Sequence, residues 1–369
     1  MIHIAAPTKI TVVLLFGGRS SEHTISCATA GGVLSAIDRS AYTVIPVGIT
    51  RDGAVTLQPD DAAQFTLNPE AMPEVHDNGT RVLWPSSTST RELRYTDDAG
   101  ATHSLGDIDV VFPILHGPFG EDGTIQGLLE LVDLPYVGNG VLASALGMDK
   151  HFTKTVLEAA GVSVAPWVTV TPRQWADDRE LWLGRATSLG LPLFVKPARA
   201  GSSVGVTKVE SLDELDAALE VAFAEDGKAL IESTLVGREV ECGVLSGRDG
   251  APTRVSVAGE IIVTGREFYD FEAKYIDPSA AQLVCPADLS EGELAEMQRV
   301  AARAFDAIGG FGLARVDFFF TGSEFIVNEI NTMPGFTPIS MYPKCWQASG
   351  MSYPQLIDEL ILLGVQAVR

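Results

Sequence analysis

Apolar residues in this chain fall into three patterns: short unbroken runs, period-two alternations, and the wider spacing of amphipathic helices. Residues 10–16 (ITVVLLF) are an unbroken run of strand length that ends at Gly17-Gly18, with a helix starting near Thr24 or Ser26. Residues 42–49 read as the next strand of the same βαβ unit. From 52 to 106 the chain turns polar, with Asn-Pro, Asn-Gly and a Ser/Thr run, and predicts short hairpins and surface loops without chemistry. Residues 110–114 resume the sheet and carry Leu115-His116-Gly117 to its end, a helix follows over 124–132, and 135–138 form a short strand and turn.

Residues 142–160 predict one helix closed by Gly161, and 172–189 another closed by Gly190. Residues 193–197 (LFVKP) form a strand that ends in a lysine and leads into the small-residue loop 200–206. Ser211 with Glu214 marks a helix start, residues 229–232 and 240–246 read as strands, and 291–308 and 353–368 as helices. Residues 265–277 (GREFYDFEAKYID) are aromatic and charged without period, which predicts an ordered loop covering a site. Strands alternating with helices make the fold class α/β, divided at 1–141, 142–234 and 235–369.

The strongest alternation lies in residues 313–331, a hairpin turning at Thr321-Gly322-Ser323. Period two places Arg315 and Asp317 on one face, and Glu329 and Asn331 on one face of the answering strand. Asp317 alone fits a solvated sheet face as well as a site. The set of four, followed by Asn331-Thr332-Met333-Pro334-Gly335, instead offers hard oxygen ligands for magnesium with a guanidinium beside them.

At 369 residues with 46% hydrophobic and 20% charged positions, the chain is that of a multidomain globular protein. Its net charge of −22 excludes a broad nucleic-acid surface, so any anionic ligand must be met by a few deliberately placed cations. Cys27, Cys242, Cys285 and Cys345 have neither zinc nor disulfide spacing. The N-terminus lacks a signal-peptide core and no window reaches ~18 apolar residues. A cytoplasmic protein with no membrane span is expected.

Three further sites stay open on pattern alone. Glu22 suits the positive end of a helix and equally a substrate amine. His116, at a strand end where α/β proteins bind ligands, suits a structural histidine and equally a site residue. The loop 200–206 is either a mobile hairpin tip or a cradle for phosphate, with Lys196 just ahead of it favouring the cradle. No Walker loop or G-x-G-x-x-G is present.

Taken in order, eight stretches make the chain resemble the D-alanine–D-alanine ligases of the ATP-grasp superfamily over nearly its whole length. They are Gly17 through Glu22, His116-Gly117 with Glu121 to Thr124, Met148-Asp149-Lys150, Val195-Lys196-Pro197, Gly201 through Gly205, Phe268 through Tyr275, Arg315-Val316-Asp317, and Asn328 through Gly335. The resemblance implies three domains, with an N-terminal βαβ domain and nucleotide between the central and C-terminal domains. It implies that Lys150 and Lys196, with Ser202 and Ser203, bind ATP phosphates, that Glu232 lies beside the adenine and Glu239 on the ribose, and that Asp317, Glu329 and Asn331 hold Mg2+ (or Mn2+). Glu22 would take the ammonium of the first D-alanine with His116 nearby, and Ser340 and Lys274 the carboxylate of the second. Arg315 and the Gly335 N–H would face the reacting oxygens, and Ser202, Tyr275 and Glu22 would form the hydrogen-bonded set that closes the loop. Members of the family are usually homodimers acting on small molecules. Another ATP-grasp carboxylate–amine ligase should lack the Glu22 turn and the Ala273-Lys274-Tyr275 loop, and a non-catalytic nucleotide-binding regulator should have lost a metal ligand. Here both motifs and all three ligands are present.

Overall fold

Val12 to Phe16 have no solvent exposure, because β1 (Ile10–Gly17) is paired on both edges and covered on both faces. A strand so placed reads as a continuous apolar run rather than an alternation. The computed structural model describes residues 9–68, 71–201, 203–263 and 281–367. These fall into two compact units, Met1–Val141 with Gly335–Arg369, and Leu142–Pro334.

In the first unit, α1 (His23–Ala36) joins β1 to its parallel neighbour β2 (Tyr42–Ile49), and β3 (Val55–Leu57) pairs antiparallel with β2. The polar stretch then forms a separate antiparallel sheet of β4 (Arg81–Leu83), β5 (Glu92–Thr96) and β6 (Thr102–Asp107), in keeping with the hairpins expected there. β7 (Val110–Pro113) pairs in parallel with β1, giving the order β3-β2-β1-β7, and α2 (Thr124–Leu131) follows. Val13, Leu15, Val47, Val111, Leu129 and Tyr136 form its core.

The second unit opens with two helices where one was expected over 142–160: α3 (Val141–Met148) and α4 (Lys150–Ala159). Asp149 separates them. Its backbone is extended, and its carboxylate accepts from the His151 and Phe152 N–H groups and pairs with Lys228 at 2.5 Å. A capping carboxylate starts a new helix wherever its side chain satisfies N–H groups that an uninterrupted helix would pair internally. After β8 (Trp167–Val170), Asp178 likewise divides the expected helix 172–189 into α5 (Pro172–Asp177) and α6 (Arg179–Thr187).

β9 (Leu193–Pro197), β10 (Thr207–Val209), α7 (Leu215–Glu225) and β11 (Ala229–Ser233) complete an antiparallel sheet of order β10-β9-β11-β8. Ser211 does not cap α7 as its spacing suggested. A 3₁₀ turn, Leu212–Glu214, intervenes, and the Glu214 carboxylate accepts from the Glu210 N–H.

The second sheet of this unit is β12 (Arg238–Leu245), β13 (Arg254–Val263), β14 (Ala281–Val284), β15 (Leu313–Phe320) and β16 (Phe325–Asn331), in the order β14-β13-β12-β15-β16. Of these, the sequence reading had not assigned β13 and β14. α8 (Glu291–Ala307), capped by Ser290 with Glu293, buries Met297, Ala301 and Phe305 against Val240, Val316 and Val327.

At Gly335 the chain returns to the first unit as α9 (Met341–Ala348) and α10 (Tyr353–Gln366). The Tyr353 hydroxyl donates to the Phe336 carbonyl at 2.8 Å, and the Tyr42 hydroxyl bonds Asp358. α9, a helix the sequence pattern does not mark, holds Pro343 in its first turn, where proline is tolerated.

Candidate active site

The hairpin β15–β16 sets Arg315 opposite Asn331 and Asp317 opposite Glu329. All four polar side chains therefore share one face, as period two predicted. Arg315 Nε and Nη2 each lie 2.7 Å from an oxygen of Asp317, and Asn331 Nδ2 donates to Asp317 Oδ2 at 3.0 Å. Lys150 Nζ sits 3.5 Å from Glu329 Oε2. A third strand contributes as well: Glu241 is opposite Asp317 in register, buried, with Oε2 3.3 Å from Arg315 Nε. Burial alone would lower the Arg315 pKa, but Asp317 and Glu241 outweigh it and hold the guanidinium charged well above its ordinary range.

This donor set fits a hard divalent cation. Asp317 and Glu329 present carboxylate oxygens from facing positions, and Asn331 adds an amide oxygen, the atom its hydrogen bond to Asp317 does not use. Among the described residues no three His, Cys, Asp or Glu side chains cluster as a metal site. One or two carboxylates completed by phosphate oxygens is the usual setting of magnesium.

Lys196, near the end of β9, is paired with Glu232 of β11, and the other oxygen of Glu232 is paired with Lys154 of α4. Glu232 is 5% exposed and Lys154 1%. Burial would raise the Glu232 pKa, yet the charges of Lys196 and Lys154 hold it below the usual carboxylate value. Lys150 Nζ donates to the Ala200 carbonyl at 2.8 Å, tying the start of α4 to the small-residue loop. In that loop Ser203 has φ +59° and Gly205 +73°, and the Val204 and Val206 N–H groups donate to the Gly201 and Ser203 carbonyls at 3.1 and 3.4 Å. Glu239 lies on β12 two residues before Glu241 and shares its face.

The first unit assembles its site from backbone turns. Gly17 and Gly18 have φ of +87° and +97°, and a Cβ on Gly17 would sit 2.4 Å from the Ile49 carbonyl oxygen. Ser26 Oγ accepts from the Gly17 N–H at 2.8 Å. His23 Nε2 accepts from the Val75 N–H at 3.0 Å, which leaves Nδ1–H to donate to the Gly18 carbonyl at 2.6 Å. Ser20 Oγ donates to the His116 carbonyl at 2.6 Å and accepts from the Glu22 N–H at 3.2 Å. Glu22 Oε2 lies 3.1 Å from where a Cβ would stand on Gly117, so Glu22 and the His116-Gly117 turn are neighbours. Ser340, at the start of α9, shares a 2.7 Å hydrogen bond with the Thr337 hydroxyl. Gly335 stands where the chain re-enters this unit.

Ser202, Lys274 and Tyr275, with the whole of the expected loop 265–277, lie outside the described residues. Three site residues escaped the sequence reading. Glu241 was visible as the partner of Glu239 at period two, and Lys154 as the residue one turn beyond Lys150. His23 had no such signal, since its partners are backbone groups.

The D-ala D-ala ligase N-terminal family matches residues 11–139, and the C-terminal family residues 156–362. The chain belongs to the D-alanine–D-alanine ligase family. It is 54% identical over 357 residues to a D-alanine–D-alanine ligase of Paenarthrobacter aurescens (strain TC1), covering 96% of this chain and 94% of that one. To a ligase of the same name from Arthrobacter sp. (strain FB24) it is 55% identical over 360 residues, covering 97% and 94%. Among solved structures it is similar to the VanG D-Ala:D-Ser ligase from Enterococcus faecalis, with TM-score 0.81, 34% identity and coverage of 96% and 99%. It is also similar to the D-alanine–D-alanine ligase from Coxiella burnetii, with TM-score 0.79, 35% identity and coverage of 97% and 94%. The fold is the ATP-grasp architecture of these ligases. Among the described residues no helix is long and apolar enough to cross a membrane.

Proposed function

We propose that the protein joins two D-alanine molecules into D-alanyl-D-alanine at the expense of ATP, for peptidoglycan synthesis. The observation that carries this reading is the convergence of Arg315, Asp317, Glu329, Asn331 and Lys150 on one sheet face in a chain of this family. The carboxylate oxygen of the first D-alanine attacks the γ-phosphorus, and the β–γ bridging oxygen leaves with ADP. The amine of the second D-alanine, once deprotonated, attacks the acyl carbon, and phosphate departs as the amide forms. Lys150 and Lys196 offset phosphate charge as it shifts, and Arg315 offsets the oxyanion that precedes phosphate loss.

Asp317, Glu329 and Asn331 are assigned to hold a divalent cation, Mg2+ or Mn2+, which screens the phosphate oxygens when bound. Ser202 and Ser203 are assigned to the phosphates, Glu232 to the adenine end and Glu239 to the ribose. Glu22 with His116 is assigned to the first amino acid, Lys274 and Ser340 to the second, the Gly335 N–H to the oxyanion, and Tyr275 with Ser202 to loop closure. Residues 142–234 and 235–334, each with its own sheet, are read as two domains, which shortens the expected 235–369 domain because 335–369 group with the first unit. A cytoplasmic homodimer completes the proposal, and its size is measurable by light scattering.

Phosphate release from ATP tests it. Release should require D-alanine and match D-alanyl-D-alanine formed, with D-serine offered separately as second substrate. A chain that hydrolyses ATP without D-alanine, or never does, is not this ligase.

A further inference from the structure

A lysine that binds phosphate loses most of its reach if a buried carboxylate neutralises it, and Lys196 is paired with such a carboxylate, Glu232. The structure supplies a second cation. Lys154 projects from α4 and pairs with the other oxygen of Glu232. Two ammonium groups and one carboxylate leave a single positive charge on the buried triad, where Lys196 and Glu232 alone would leave none. Lys154 cannot deliver that charge by contact with solvent, since it is 1% exposed. Its Nζ lies 5.7 Å over the Trp167 ring and 3.4 Å from the Ala165 carbonyl oxygen, so it is fixed where it stands.

We infer that Lys154 is a positioning residue for nucleotide phosphate. By holding Glu232 it keeps that carboxylate from cancelling Lys196, so the end of β9 retains a net charge for an anion. The inference rests on the reading of Lys196 as a phosphate ligand. It differs from a packing role, in which Lys154 only fills space beneath β8 and β11. A packing role predicts damage that depends on side-chain volume. The charge role predicts that affinity for phosphate follows the sum of charges on Lys154, Glu232 and Lys196.

The experiment measures ADP and adenosine binding by calorimetry at one magnesium concentration, and reads the ratio of the two affinities so that adenine contacts cancel. Lys154→Met should lower the ratio on the order of tenfold, and Lys154→Arg should keep it within about threefold of the parent. Adding Glu232→Gln to Lys154→Met restores one net charge and should return the ratio to within about threefold of the parent. If Lys154→Met does not fold, as circular dichroism would show, the Glu232→Gln background carries the test. The ratio should then fall about tenfold from Glu232→Gln to the double variant. Equal ratios in Lys154→Met and parent, or a double variant no better than Lys154→Met, overturn the inference. Lys196→Met separates the two levels. If it too leaves the ratio unchanged, the phosphate reading fails and the inference falls with it. If it lowers the ratio while Lys154→Met does not, only the inference fails.

Discussion

The two units solve the problem of recognition with different materials. The Leu142–Pro334 unit gathers charge: Arg315 between Asp317 and Glu241, Lys150 against Glu329, and Glu232 between two lysines. The first unit shapes backbone: Gly17, Gly18 and Gly117 at positive φ, tied by Ser20, His23 and Ser26. Phosphates and a divalent cation carry several charges, and formal charges held out of water meet them most strongly. A small zwitterion offers one ammonium and one carboxylate, and on the proposed assignment its recognition depends more on the shape of the turn around Glu22. The comparison predicts that substitutions in one unit harm chemistry and in the other harm shape.

The largest expected effect is Glu329→Gln. The change is nearly isosteric and removes one anionic oxygen opposite Asp317, so ligation should fall on the order of a thousandfold with the fold intact. Phosphate release and circular dichroism check both parts. Turnover near the parental rate would remove the hairpin from the cation site.

Next is Lys196→Met, expected to lower kcat roughly a hundredfold together with ATP affinity, because a charge on the phosphates acts more strongly as their charge shifts. The KM for D-alanine should stay within about twofold of the parent. A variant altered only in D-alanine KM would break the division of labour between the units.

Gly17→Ala tests the other material. Its added Cβ would meet the Ile49 carbonyl oxygen at 2.4 Å at a φ of +87°, a combination that costs roughly 1–3 kcal/mol. D-alanine KM should rise and the melting temperature fall, with the ADP-to-adenosine affinity ratio unchanged. A stable variant with the parental KM would show that turn geometry is not what the amino acid reads.

The same contrast explains what was legible in the sequence. Alternation around Arg315, Asp317, Glu329 and Asn331 was enough to place all four on one face before any fold was known, because side-chain direction in a strand has a fixed period. The long apolar runs marked β1 and β2 for the same kind of reason. The breaks at Asp149 and Asp178 were not legible, since an aspartate within a helical pattern reads equally as a solvated residue or a cap. Nor was the return of the chain at Gly335, which depends on contacts distant in sequence such as Tyr353 with Phe336. His23 was invisible for a related reason. Its role lies in bonds to the Gly18 carbonyl and the Val75 N–H, and backbone partners leave no trace in residue identity.

His23 supplies the smallest prediction and the sharpest test of backbone shaping. The imidazole is fully buried, and burial, its largest influence, lowers its pKa from 6.5 despite the hydrogen bond to Gly18. Arg51 and His76 push in the same direction as burial, and Glu74 opposes them. In the unfolded chain His23 takes up a proton as pH falls through about 6.5, whereas in the folded chain it does so only at lower pH. The stability it contributes is therefore fully present above pH 6.5 and is lost as pH falls towards its folded pKa, at no more than about 1.4 kcal/mol per pH unit. Protonation also turns Nε2 into a donor facing the Val75 N–H, so the strain is local to the glycine turn. Corrected for the slowing of intrinsic exchange at lower pH, the protection of a peptide spanning residues 17–26 should fall severalfold between pH 7.5 and 5.5 in the parent. His23→Asn can keep the bond to Gly18 and His23→Gln the bond to Val75, but neither titrates there. Both variants should exchange faster at pH 7.5 and show a flatter pH response. An unaltered pH response in both would mean that the turn is held by glycine geometry and Ser26 alone, with His23 a bystander.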